Sequence, residues 1–149
     1  MAEGKRVDFY ILQAAEDETA RMRFACRLAE KAYLLDNTVH IHTATQADAA
    51  RLDDLLWTFR KDSFLPHELL RDGHPPASPV TIGFSAQQPP EAGLLINLAT
   101  DIPPFADDFP RIAEIIGGSE AAKSDGRIRY RTYQRAGRAP VIHQLEISP

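Results

Sequence analysis

The chain of 149 residues has a single cysteine, which excludes an internal disulfide framework and any cysteine-based zinc site. It has no apolar run approaching the ~20 residues needed to cross a bilayer. Met1 to Arg6 holds no apolar core of the kind a secretory signal requires. Positive charge does not predominate: 17 Lys+Arg against 21 Asp+Glu give a formal net charge of −4 and a pI near 5.7. That balance excludes a globally basic nucleic-acid binder but leaves room for a local basic patch. There is no internal repeat, no low-complexity tract and no Walker A pattern. What remains is a soluble, cytoplasmic protein forming one domain over residues 1–149, since a chain of this size buries roughly 68–70% of its unfolded surface.

Apolar patterning supplies the elements. Val7–Leu12, aromatic and β-branched, reads as a buried strand, and 16–35 as a helix. In that helix Met22, Ala25, Cys26, Ala29 and Tyr33 share one face, opposite Arg23, Arg27, Glu30 and Lys31. Thr38–Thr43 is a second strand. Thr45, followed three residues later by Asp48, opens a helix running to about Phe59. Pro79–Phe84 and Gly93–Thr100 are further strands, the latter continuous enough to be central. Arg111–Ile116 fits strand or helix equally. Glu120–Ala136 is a basic helix closed by Gly137, and it is the last element the pattern predicts. Proline groups at Pro66, Pro75–Pro76, Pro79, Pro89–Pro90, Pro103–Pro104 and Pro110 mark loops. Alternating strands and helices predict a three-layer α/β/α fold around a mostly parallel sheet.

Catalytic chemistry finds no anchor. The turn after the first strand, Gln13 to Glu18, has no glycine and three carboxylates, so a pyrophosphate could not approach its backbone. That turn is therefore not a phosphate loop. Gly117-Gly118-Ser119 precedes a helix, where a turn and a Ser N-cap are the preferred reading over an anion site. His40 and His42 alternate along a strand without a third ligand at metal-site spacing. Cys26 lies on an apolar helix face, the setting of an inert thiol. Asp101, at the end of a central strand, reads as a turn former. No cofactor, metal or catalytic set is expected.

Two features suggest binding instead. On a helical wheel Trp57 points about 140° away from the face formed by Leu52, Leu55, Leu56 and Phe59. With Phe64, Leu65 and Pro66 following, it suits an interface anchor; cover by the 60–78 loop is the alternative. The second feature is charge. Lys123–Arg138 carries six basic residues and one acid, leaving 11 basic and 20 acidic residues elsewhere. Lys123, Arg127, Tyr130 and Gln134 fall on one stripe, suited to an acidic peptide or a phosphate backbone. A solvated helix face is the plain alternative. Gly126 inside this segment predicts a later helix start, at a cost of ~1 kcal/mol against Ala.

The run Ala50-Arg51-Leu52-Asp53-Asp54-Leu55-Leu56-Trp57, followed by Ser63-Phe64-Leu65-Pro66-His67, resembles the signature of the chi subunit of bacterial DNA polymerase III. Val7–Leu12 is similar to that family's first strand and Arg129–Gly137 to its closing helix. Residues 86–93 and those after Gly137 are not matched. The resemblance implies a nucleotide-binding-like α/β domain without a phosphate loop, a subunit of the clamp-loader assembly without catalytic activity, bridging two partners. One is the psi subunit, met by Trp57, Phe64 and Pro66, a surface that a repair helicase could share. The other is the acidic C-terminal tail of single-stranded DNA-binding protein, met by Lys123, Arg127 and Tyr130 with Ile116 walling the pocket. DNA would then be contacted only indirectly. The alternative function is direct nucleic-acid binding by the basic helix. Gln134 stands where a further basic residue is expected, and Asp101-Ile102-Pro103-Pro104-Phe105 resembles the acidic tail motif itself, as a coincidental internal loop.

Overall fold

The computed structural model describes residues 5–13, 18–62, 64–85 and 87–145. Its strands are β1 (Arg6–Leu12), β2 (Val39–Thr43), β3 (His67–Leu69), β4 (Val80–Phe84), β5 (Leu94–Asn97), β6 (Arg111–Gly117) and β7 (Ala139–Leu145). They form one sheet in the order β3-β4-β2-β5-β6-β1-β7, every pairing parallel. Helices α1 (Glu18–Leu34) and α2 (Gln46–Thr58) cover one face, while α3 (Glu120–Arg135) and a short 3-10 turn, Ala106–Asp108, cover the other. This is the expected three-layer α/β/α arrangement.

The central strands carry near-continuous apolar sequence because both their faces are covered. β2 and β5 are buried along their whole lengths. On β1 the alternation sorts residues by layer: Tyr10 and Leu12 pack with α1, whereas Val7, Phe9 and Ile11 pack toward α3. On α1, Met22, Ala25, Cys26 and Ala29 are buried and Tyr33 is half-buried. The thiol of Cys26 is fully buried, and desolvation pushes its pKa up to about 12, an unreactive state. α2 starts as expected, the Thr45 side chain accepting from the Asp48 amide at 3.1 Å. Four residues of the glycine-free turn after β1, 14–17, lie outside the described residues.

The structure decides one open reading and corrects the sequence reading in two places. Residues 111–117 form a strand, inserted between β5 and β1. β3 and β7 were not predicted, and the basic helix is not the last element. Both are edge strands; β3 has only three residues and β7 is largely exposed, so neither carries the apolar run of a strand covered on both faces. α3 begins at Glu120, with Ser119 accepting from the Ala122 amide at 3.1 Å, so Gly126 sits inside the helix and does not delay it.

The sheet face under α3 is polar for a buried layer. His40, His42, Thr81, Asn97 and Glu114 are all buried there. His40 Nδ1 lies 2.8 Å from the Thr81 hydroxyl, and Phe105 and Phe109 pack against the two imidazoles. His40 Nε2 and His42 Nδ1 have no partner among the described residues. Burial lowers the pKa of His40 to about 3, with a smaller contribution from His42, and that of His42 to about 4.

Because both histidines are harder to protonate in the folded state, the unfolded chain binds more protons below its ordinary imidazole pKa. Stability should therefore fall as pH drops below about 6.5, by up to about 1.4 kcal/mol per pH unit for each histidine. Urea denaturation at pH 7, 5.5 and 4.5 should show a shallower decline in the His40→Gln/His42→Gln double variant than in the parent. Equal slopes would exclude this role for the pair.

Candidate functional site

The basic residues of α3 divide into two groups that the sequence could not separate. Arg129 is buried and its Nε donates to Glu114 at 3.0 Å, while its terminal nitrogen donates to the Thr100 carbonyl at 2.6 Å. Glu114 also accepts from the Tyr133 hydroxyl at 2.6 Å and from Asn97 at 3.0 Å. Arg138, past the helix, is buried too and donates to the Ala106 and Phe109 carbonyls. These two cations are tied into the fold and are not part of an exposed basic face. Burial raises the Glu114 carboxyl and Arg129 opposes that shift; burial beside the Glu114 carboxylate raises the Tyr133 phenol far above its ordinary range.

Lys123, Arg127 and Arg131 lie on a different flank. They line a groove of about 620 Å³ between α3 and the open face of β1 and β7. Its floor is Phe9, Ile11, Ile116 and Gly126; α3 adds Tyr130 and Gln134, and the far side is Gln13, Ile142 and Gln144. Tyr130 is held by Phe9, ring centroids 5.5 Å apart. Gly126 explains itself here, since a Cβ at that position would stand 2.6 Å from Ile116 Cδ1. The missing side chain lets α3 settle onto Ile116. Gln13 donates to Gln144 at 2.9 Å and ties β1 to β7 at one end.

All four residues expected for the acidic-peptide site, Lys123, Arg127, Tyr130 and Ile116, are thus brought to one groove. Sequence reasoning did not flag Phe9, Ile11, Gln13, Ile142 and Gln144 as lining. The β7 pair had one signal, the β-branched Val141-Ile142 step, but the strand is largely exposed and its sequence lacks a clean apolar alternation.

The Trp57 surface lies elsewhere. Trp57 and Phe64 are 55% and 72% exposed, with ring centroids 6.1 Å apart. Trp57 also packs on His67 at 4.4 Å, so the loop supports it from beneath without covering it. His67 is buried; its Nδ1 is 2.7 Å from the Leu65 carbonyl and its Nε2 is 3.2 Å from Asp53. Pro66 is half-buried between Leu65 and His67. The Trp57–His67 contact could not be read from sequence because it joins α2 to β3 across the loop.

Among the described residues no group of three His, Cys, Asp or Glu side chains could hold a metal ion, and no helix is long and apolar enough to cross a membrane. His40 and His42 share a face, as alternation on a strand requires. The 101–105 segment lies on the opposite flank of α3 from the groove: Asp101 and Ile102 line a cleft with Ile128 and Thr132, and Phe105 is buried against His40 and His42.

The division of labour within α3 has a direct consequence. Arg129→Met strands the buried Glu114 carboxylate and should cost about 3–5 kcal/mol of stability. Arg127→Ala, on an exposed side chain, should change stability by less than about 0.5 kcal/mol. Thermal or urea unfolding of the two variants distinguishes them, and similar losses would contradict this assignment.

Comparison with known proteins places the chain. The family described as DNA polymerase III chi subunit, HolC, matches residues 5–140. The DNA polymerase III subunit chi of Pseudomonas aeruginosa is 37% identical over 140 residues, covering 94% of this chain and 96% of that protein. Its counterpart in Haemophilus influenzae is 30% identical over 135 residues, covering 89% and 92% respectively. That of Escherichia coli K12 is 28% identical over 137 residues, covering 89% and 93%. Among solved structures, the crystal structure of T4 UvsW superposes with a TM-score of 0.65 at 8% identity over 95% of this chain. This chain spans 41% of that one, and the likeness extends to the fold alone. Matched along nearly its whole length, the chain belongs to the DNA polymerase III chi subunit family and is an accessory subunit of the replication machinery.

Proposed function

We propose that this chain is a non-catalytic adaptor in the cytoplasm, acting as a single domain that links the clamp loader to the acidic C-terminal tail of single-stranded DNA-binding protein. The observation that carries this reading is the placement of two unlike surfaces. The groove lies at the β1–β7 edge on the α3 face; the Trp57–Phe64 surface lies against β3 at the other edge, on α2. Six inter-strand steps at ~4.8 Å separate the outermost strands by roughly 29 Å. Two partners can therefore be held at once without colliding.

In this reading the groove takes the tail. Its carboxylates meet Lys123 and Arg127, and its terminal apolar side chain enters beside Tyr130 over Ile116 and Gly126. Such charge-assisted contacts are partly offset by association costs, so micromolar affinity is expected. Salt should weaken it by screening. The Trp57, Phe64 and Pro66 surface takes the psi subunit, or a repair helicase in its place, through aromatic anchors.

Titration of a fluorescent tail peptide should show Arg127→Ala losing most of the affinity, about tenfold or more. Trp57→Ala should leave that titration unchanged while abolishing co-purification of the psi subunit. Unchanged peptide binding by Arg127→Ala would overturn the groove assignment. Tight binding of a bare fluorescent single strand at moderate salt would instead favour direct nucleic-acid recognition by the basic helix.

A further inference from the structure

The sheet has a second open corner, on the face away from α3. The end of α1 leaves a pocket of about 100 Å³ over the first residues of β5 and β6. Leu28, Ala32 and Leu94 line it with aliphatic surface, and Lys31 and Arg111 line it with charge. At about 30 Å³ per water molecule it has room for about three waters, or for one aliphatic side chain in their place. The last residue of α1 and the one after it extend the apolar surface outward. Leu34 and Leu35 are 70% and 67% exposed, more than any other adjacent pair of large apolar side chains among the described residues, and Leu35 lines the pocket.

Charge at this corner is one-sided. The buried Asp8 carboxylate takes Arg6 at 2.9 Å, His143 Nε2 at 2.8 Å and Arg111 at 3.6 Å, so one acid serves two guanidinium groups that are each half exposed. Lys31 is exposed and has no carboxylate partner among the described residues. Acids close in sequence do not offset it: Glu30 bridges Arg60 at 3.2 Å, and Asp36 and Glu91 do not line the pocket. Such an excess attracts carboxylates or phosphates. The remaining lining decides between them. A nucleic-acid strand is held by base stacking as well as by charge. Tyr10, the ring that lines the pocket, is already stacked on His143 at 4.8 Å and packed on Phe24 at 5.2 Å. Aliphatic walls beside two cations instead suit a peptide that joins a hydrophobe to carboxylates.

We propose that this pocket docks an acidic segment of a partner protein. One aliphatic side chain of the segment sits against Leu28, Leu35 and Leu94, and neighbouring carboxylates meet Lys31 and Arg111. Arg6, directly across from Arg111 in the β1–β6 register, extends the same charge toward the sheet edge. The site is separate from the α3 groove, because α1 and α3 cover opposite faces of the sheet, and both can be occupied at once.

The test uses the pentapeptide Asp-Glu-Leu-Asp-Glu, acetylated and amidated so that it presents no chain terminus to the α3 groove. NMR titration of the whole chain should give saturable shifts centred on the amides of Ala32, Leu35, Asn37 and Gly93, which line the pocket. Lys31→Gln should weaken binding about threefold, the scale of one exposed ion pair, and leave the tail-peptide titration of the α3 groove unchanged. Leu35→Ser, and serine in place of the peptide's leucine, should each weaken binding by at least that factor. Lys31 and Leu35 are both exposed, so neither change threatens folding. Equal binding of the serine peptide would reduce the attraction to diffuse charge and refute the pocket. So would shifts that are absent or fall outside it, or unaltered binding by Lys31→Gln. Tighter binding of a short thymidine oligonucleotide at the same amides would overturn the peptide in favour of a phosphate ligand.

Discussion

A buried carboxylate decides how α3 sits. Glu114 has no solvent access, and its charge is tolerable only because Asn97, Arg129 and Tyr133 all donate to it. Two of those three donors come from α3 itself, one turn apart. The helix is thus fixed in rotation about its axis as well as in position. With Arg129 and Tyr133 turned to the sheet, Lys123, Arg127 and Tyr130 fall on the flank that overlooks β1 and β7. A helix held by apolar contacts alone could rotate or slide at lower cost. The polar anchor makes the orientation specific, and the groove is its by-product.

Gly126 completes that arrangement. It weakens the helix by roughly 1 kcal/mol relative to Ala, yet it lets Ile116 approach where a methyl group would collide. The local loss is offset by contact between α3 and β6, and the groove gains an apolar floor beneath its cationic wall. That pairing of surfaces suits a ligand with carboxylates on one side and a hydrophobe at its tip. Arg138 does comparable work at the other end, capping the carbonyls of the 3-10 turn and sealing Phe105 and Phe109 over the histidine pair.

The remaining surface is built on different physics. Trp57 leaves the core face of α2 because its wheel position requires it, and it is steadied by His67, whose Nδ1 is in turn held by the Leu65 carbonyl. The result is an exposed aromatic pair on a rigid base, able to bury a large apolar area at little cost in side-chain entropy. Cationic groove and aromatic platform sit on opposite layers of one sheet, so a parallel seven-stranded core serves as a spacer as much as a scaffold.

Periodicity alone determined most of the elements: the buried central strands, the α1 face, the Thr45 and Ser119 caps and the outward turn of Trp57 all follow from local sequence. So did the stripe of Lys123, Arg127 and Tyr130, because positions on one helix need no tertiary information to be grouped. Tertiary structure decided the rest. Edge strand β3 has only three residues and edge strand β7 is largely exposed, so their half-polar sequences carried too little pattern to announce them. Likewise, Arg127 and Arg129 are alike in sequence, and only the position of Glu114, fifteen residues from Arg129 on another element, makes one part of the core while the other stays exposed. Burial and partner identity depend on which segments the sheet brings together, and that long-range choice cannot be read from either residue's neighbours.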